Sequence, residues 1–124
     1  MTLVYVADDE PDLADLLQEM LSDAGYEVDA SPDGPTLLQR AGERRPDLIL
    51  LDINMPGMTG WDVKKRLEEN PALANVPVIA VTAQGGASIE TSAMKTLRFA
   101  EFVRKPFRLA ELLEKVDRAL AARK

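Results

Sequence analysis

Cysteine and histidine are both absent from this 124-residue chain. Without cysteine there is no disulfide framework, no thiolate metal site and no cysteine nucleophile. Without histidine, imidazole acid–base catalysis, histidine–metal ligation and a phosphohistidine carried on this chain are all excluded. Long apolar runs are missing too: none reaches the roughly 18 residues of a membrane span. The start, Met1-Thr2-Leu3-Val4-Tyr5, lacks the basic region and cleavage pattern of a secretory signal, so a soluble cytoplasmic protein is the expectation. Basic charge is also in short supply, with 15 Lys+Arg against 21 Asp+Glu and a net charge of −6. That balance argues against non-specific nucleic-acid binding and leaves a protein partner open. The length fits one domain, residues 1–124, able to bury a core without staples, and no linker divides it.

What the chain does contain is organised around Asp47-Leu48-Ile49-Leu50-Leu51-Asp52-Ile53-Asn54-Met55-Pro56-Gly57. A continuous apolar run of strand length predicts a strand buried on both faces, as in a parallel sheet covered by helices. Asp52 then stands at the strand's carboxyl end, where open α/β sheets place their ligands.

Leu3 to Ala7 reads as a first buried strand. Pro11 opens a helix whose Leu13, Leu16, Leu17, Met20 and Leu21 recur at helical spacing, with Gly25 as its C-terminal cap. Tyr26 to Ala30 alternates as a strand near a sheet edge, and a helix follows over Thr36 to Glu43. After the central strand come a helix over Trp61 to Glu69 and a strand over Pro77 to Thr82. Gln84-Gly85-Gly86 leads into a weakly patterned helix from Ser88 to Leu97. A short strand spans Ala100 to Arg104, and an amphipathic helix from Phe107 to Ala121 ends the pattern. Strand and helix thus alternate five times, which predicts a parallel sheet with helices on both faces.

In such a sheet the strand carboxyl ends share one edge. Asp8 and Asp9 follow the first strand, Asp52 the third, Thr82 the fourth and Lys105 the fifth. Three carboxylates raise one another's pKa unless a positive charge neutralises them. An all-oxygen donor set suits a hard cation, and Mg²⁺ takes one or two carboxylates together with water and phosphate oxygens. Lys105 adds a mobile charge suited to phosphate or to Asp52 itself. A carboxylate placed beside such a cation, a lysine and a hydroxyl is equipped as a nucleophile toward phosphorus.

These residues, in this order, resemble the receiver domain of two-component response regulators, the chemotaxis-regulator-like family. The motifs are Asp8-Asp9, then Pro46-Asp47-Leu48 leading to Leu51-Asp52, then Met55-Pro56-Gly57 with Gly60, Thr82-Ala83, and Lys105-Pro106-Phe107. The resemblance covers nearly the whole chain, from about Leu3 to Leu120. The resemblance implies a (βα)5 doubly wound parallel five-stranded sheet in flavodoxin-like order 2-1-3-4-5. It implies Asp52 as phosphoacceptor and Asp8 or Asp9, with Asp52 and the backbone carbonyl of Asn54, as Mg²⁺ ligands. Thr82 and Lys105 would contact the phosphoryl oxygens, and Phe102 matches the switch aromatic that turns inward. A cis peptide at Lys105-Pro106 is implied as well, a state that about 5–6% of X-Pro bonds adopt.

The donor would be a sensor histidine kinase or a histidine phosphotransfer protein. Output would run through the face of the fourth helix, fifth strand and fifth helix, to a partner, an absent output domain or a phosphorylation-dependent homodimer. No nucleic acid or membrane is expected as a direct partner. No effector domain is visible before the sequence stops at Lys124. The chain would catalyse its own phosphorylation and dephosphorylation without turning over a substrate, and Asn54 and Gln84 would tune the phosphoryl lifetime.

Two departures fall on the reporting face. Phe99 stands where the family usually has glycine, and the segment from Thr82 to Lys105, with Gly85-Gly86, is about one residue longer than is typical of the family. An Mg²⁺-dependent phosphohydrolase of the haloacid-dehalogenase type is the enzyme alternative, but Asn54 occupies the place of its general acid. A docking-only pseudo-receiver is the third reading, disfavoured because every position the chemistry needs is filled. Trp61 and Phe99 read as structural or as an exposed interface. Arg40, Arg44, Arg45, Lys64, Lys65 and Arg66 read as solvated helix faces.

Overall fold

A computed structural model of the chain describes residues 2–55, 57–82 and 99–122. Along them run β1 (Leu3–Ala7), α1 (Pro11–Asp23), β2 (Glu27–Ser31), α2 (Gly34–Glu43) and β3 (Leu48–Asp52). They are followed by α3 (Gly60–Glu69), β4 (Val78–Thr82), β5 (Glu101–Arg104) and the C-terminal helix α4 (Leu109–Ala122). The helix predicted over Ser88 to Leu97, and the connection at Ala83, Gln84, Gly85 and Gly86, lie outside the described residues. All five strands pair in parallel in the order β2-β1-β3-β4-β5, as expected.

The alternation of side chains along a strand explains why the strand sequences are apolar throughout. Ile49 and Leu51 of β3 join Tyr5, Leu37, Val63 and Leu67 in a core under α2 and α3. Leu48 and Leu50 of the same strand join Val4, Leu17, Leu21, Leu112 and Val116 under α1 and α4. Neither face of β3 meets water. β2 is an edge strand and only half-buried, which fits its polar–apolar alternation.

Local chemistry sets the ends of the helices. Asp33 caps α2 by accepting from the Thr36 N–H, so that helix begins at Gly34 rather than Thr36. Thr59 and Asp62 form a reciprocal capping box at α3. Gly25 stands just past α1 with φ +99, a left-handed conformation that glycine adopts without a steric cost. α4 begins at Leu109, two residues later than its apolar pattern indicates.

Leu16 departs from its expected inward position: it is 46% exposed, as Leu109 is at 42%. The apolar stripe of α1 is wider than the surface that covers it, and Leu16 lies on its margin. Lys64 departs in the opposite sense and is only 2% exposed. Its ammonium stands 3.4 Å from Glu68 and 5.9 Å from the centre of the Phe99 ring. A long aliphatic stem lets such a residue cross an apolar layer. Arg40, also read as solvated, is half-buried against Asp29. Phe99 is buried, in contact with Trp61 and Phe102, and so is packing rather than an exposed interface.

The chain leaves β1 in one direction to form β2 and later returns to the other side of β1 to form β3. That reversal opens a crevice at the carboxyl ends of β1 and β3, the customary ligand position in open α/β sheets.

Candidate functional site

Asp52 closes β3 and Asp8 follows β1 directly, so both carboxylates enter this crevice, and both are buried. Each is fixed by the same local device. Asp52 Oδ1 accepts the N–H of Asn54 at 2.9 Å, and Asp8 Oδ1 accepts the N–H of Glu10 at 2.9 Å. Aspartate's short side chain favours such a bond to the backbone two residues on. The second oxygen of each faces Lys105, whose Nζ lies 3.5 Å from Asp52 Oδ2 and 3.5 Å from Asp8 Oδ2. Carboxylate oxygens of Asp8, Asp9, Glu10 and Asp52 all fall within 4.8 Å of one another.

Burial and crowding show in the acidities. Burial, reinforced by the Asp8 charge and by Asp9, pushes the Asp52 carboxyl up to about 6 against the pull of the Asn54 N–H and Lys105. Burial likewise raises Asp8, with Glu10 and Asp9 adding to it. Lys105 is held above its ordinary range: burial works against its charge, but Glu10, Asp52 and Asp8 outweigh it. A further cation would favour the ionised form of acids raised by burial and by one another. The donor set is entirely carboxylate oxygen, so a hard divalent ion such as Mg²⁺ fits it and a soft metal does not.

Thr82 ends β4 and is buried, and its carbonyl accepts the Lys105 N–H at 2.7 Å, which ties the ends of β4 and β5 together. The Lys105-Pro106 peptide is cis. Phe102 lies on β5, half-buried, with its ring 5.3 Å from Phe99 and 6.5 Å from Trp61 between centroids. Its carbonyl accepts from Lys115 of α4. Asn54 is exposed beyond β3. The geometry therefore gathers Asp8, Asp9, Asp52 and Lys105, brings Thr82 to the adjoining strand end, and sets Phe102 on the neighbouring strand.

Glu10 was not singled out from sequence, and Gly60, quoted there only as a motif residue, shows its reason in the structure. Glu10 approaches the Lys105 ammonium at 2.8 Å, closer than either aspartate does. Its position beside Asp8-Asp9 is the available signal in the sequence, but an acid there also suits the start of a helix, where it favours the α1 dipole. Gly60 sits so close to β3 that a Cβ there would come within 2.7 Å of the Asp52 carbonyl oxygen and the Ile53 Cα. Its backbone N–H donates to the Ile53 carbonyl at 3.1 Å, pinning the start of α3 to the strand that carries Asp52.

Comparison with known proteins agrees with this geometry. The family described as response regulator receiver domain matches residues 4–117. The sensory transduction protein RegX3 of Mycobacterium tuberculosis is 37% identical over 120 residues, covering 97% of this chain and 51% of that protein. The phosphate regulon transcriptional regulatory protein PhoB of Rhizobium meliloti is 35% identical over 117 residues, covering 94% and 51% respectively. The chain spans about half the length of these curated relatives. The chemotaxis protein CheY4 of Vibrio cholerae superposes with a TM-score of 0.90 at 28% identity, over 96% of this chain and 98% of that one. A putative response regulator from Chloroflexus aurantiacus also gives 0.90, at 31% identity over 97% and 98%. In this family an aspartate is phosphorylated with the help of Mg²⁺. From its sheet order, its strand-end acids and these matches, the chain belongs to the response regulator receiver domain family, the signal-receiving unit of two-component systems.

Proposed function

We propose that Asp52 is the phosphoacceptor of this receiver and that residues 1–124 work as one receiver domain. The observation that carries the reading is the pair of buried carboxylates, Asp52 and Asp8, each with one oxygen fixed by a backbone N–H and the other turned to the Lys105 ammonium. An Asp52 oxygen attacks phosphorus, and the new P–O bond replaces the bond to the donor. With a phosphohistidine donor, the P–N electron pair leaves on the imidazole, which takes up a proton. A sensor histidine kinase or a histidine phosphotransfer protein is the proposed donor, and the cytoplasm the proposed setting.

Asp8, Asp9 and Asp52, with the Asn54 carbonyl, would hold Mg²⁺. Bound there, the ion supplies positive charge that offsets the carboxylates and the phosphoryl oxygens. Lys105 supplies a second positive charge from the side of β5. The Thr82 hydroxyl, at the neighbouring strand end, donates to a phosphoryl oxygen. That contact shifts an equilibrium between two arrangements of the end of β4 and of Phe102, and the face including β5 and α4 reports it to a partner, an output domain or a second copy. Phosphoryl transfer of this kind relies on positioning and charge, which the strand ends provide. Release of the phosphoryl group by self-catalysed hydrolysis resets the switch, and signalling rather than turnover is the role. Radiolabelled acetyl phosphate with Mg²⁺ tests the proposal: the wild type takes up base-labile label and Asp52→Asn does not.

A further inference from the structure

The lysine of this site lies closer to Glu10 than to the proposed phosphoacceptor. Its ammonium is 2.8 Å from Glu10 Oε1, against 3.5 Å from Asp52 Oδ2 and from Asp8 Oδ2. Glu10 precedes α1 in extended conformation, φ −94 and ψ 105, and its side chain makes no cap to that helix. Its backbone N–H is held by Asp8 Oδ1, which fixes the point from which the side chain departs. From there the carboxylate reaches across the crevice to a residue 95 positions away in the chain. Exposure is graded along this row: the Asp8 and Asp52 side chains are 2% exposed, Lys105 20% and Glu10 60%. Lys105 thus spans from the buried acids to the rim, and Glu10 marks the rim.

We infer that Glu10 is a positioning residue that acts through Lys105: it holds the ammonium at the rim and competes with a phosphoryl group on Asp52 for the same cation. The inference rests on the proposed role of Asp52. An ammonium has three donors and a flexible stem, so its direction is set by the acceptors around it. A phosphoryl group on Asp52 has to draw Lys105 inward against the shortest ion pair it makes. An exposed pair is weak, so the competition is worth about two- to fivefold in affinity for the phosphorylated arrangement.

The test uses the full chain, with beryllofluoride and Mg²⁺ as the phosphoryl analogue. Glu10→Gln removes the charge, whereas Glu10→Asp keeps it and withdraws it by one methylene. Both are expected to bind beryllofluoride about two- to fivefold more tightly than wild type, and the gain is expected to vanish in a Lys105→Met background. In metal-free protein the Lys105 side-chain ammonium resonance is expected to shift in both variants, which a merely structural role for Glu10 would not produce. Tightening by Glu10→Gln alone overturns the inference in favour of a general charge effect, and weaker or unchanged binding by both overturns it outright. Loss of Mg²⁺ affinity in Glu10→Gln overturns it by making Glu10 a metal ligand. Wild type that fails to bind the analogue removes the Asp52 reading as well, whereas tight wild-type binding with unmoved variants removes only the role of Glu10.

Discussion

Two buried acids share one lysine at the heart of the site, and the fold bears a cost for keeping both ionised. The Asp52 carboxyl is raised to about 6 and Asp8 is raised with it, in both cases first by burial. A carboxyl raised in the folded state favours the fold while protonated. That stabilisation is complete below the ordinary carboxylate range and is lost as pH rises through about 6. Metal-free protein should therefore be more resistant to denaturant near pH 5 than near pH 7.5, as measured by unfolding in EDTA. Asp52→Asn should flatten that dependence and raise metal-free stability at neutral pH by about 1–3 kcal/mol. Gly60 governs the same residue from the other side. The Cβ of Gly60→Ala would press on the Asp52 carbonyl oxygen and the Ile53 Cα, which are backbone atoms with little room to yield. Denaturation should show a loss of about 1–3 kcal/mol. Label uptake from acetyl phosphate should fall as well, because α3 displaces the strand end that carries Asp52.

At the scale of elements, the contact between α3 and β5 is made by aromatic rings. Trp61 of α3 meets Phe99 edge-on at 5.5 Å, and Phe99 in turn packs on Phe102. Phe99 is buried, so Phe99→Ala should cost about 3 kcal/mol in chemical denaturation, by lost burial and by the cavity left behind. The five strands and the four described helices were legible because their apolar spacing follows the geometry of a sheet covered on both faces. Asp8, Asp52 and Lys105 were legible because parallel strands bring their carboxyl ends to one edge. Glu10, Lys64 and Leu16 were not. Contact between Glu10 and Lys105 depends on side-chain reach across 95 positions, which local spacing does not encode. Lys64 is followed by Lys65 and Arg66, and nothing in such a run marks the one stem that turns inward. Leu16 lies on the margin of a stripe, where helical period alone does not separate covered from open.

For the molecule as a whole, the proposed site in the crevice between β1 and β3 bears on stability as well. A ligand that binds only the folded chain stabilises it by about 2.7 kcal/mol at a hundredfold excess over its dissociation constant. Held as proposed, Mg²⁺ would relieve the repulsion among Asp8, Asp9 and Asp52, so it should raise the melting temperature. Chelation should reverse the rise, and Asp52→Asn should reduce it. The chain contains neither histidine nor cysteine, so phosphoryl transfer to it has no imidazole or thiol acceptor with which to be confused. Acyl phosphates are reduced by borohydride, which turns a phosphorylated aspartate into homoserine and leaves the other acids unchanged. The most direct measurement is therefore peptide mass spectrometry of the chain after acetyl phosphate, Mg²⁺ and borohydride. Homoserine at position 52 and at no other acid is the predicted result; modification at Asp8 or Asp9 instead, or none on a folded chain with Mg²⁺ bound, would contradict it.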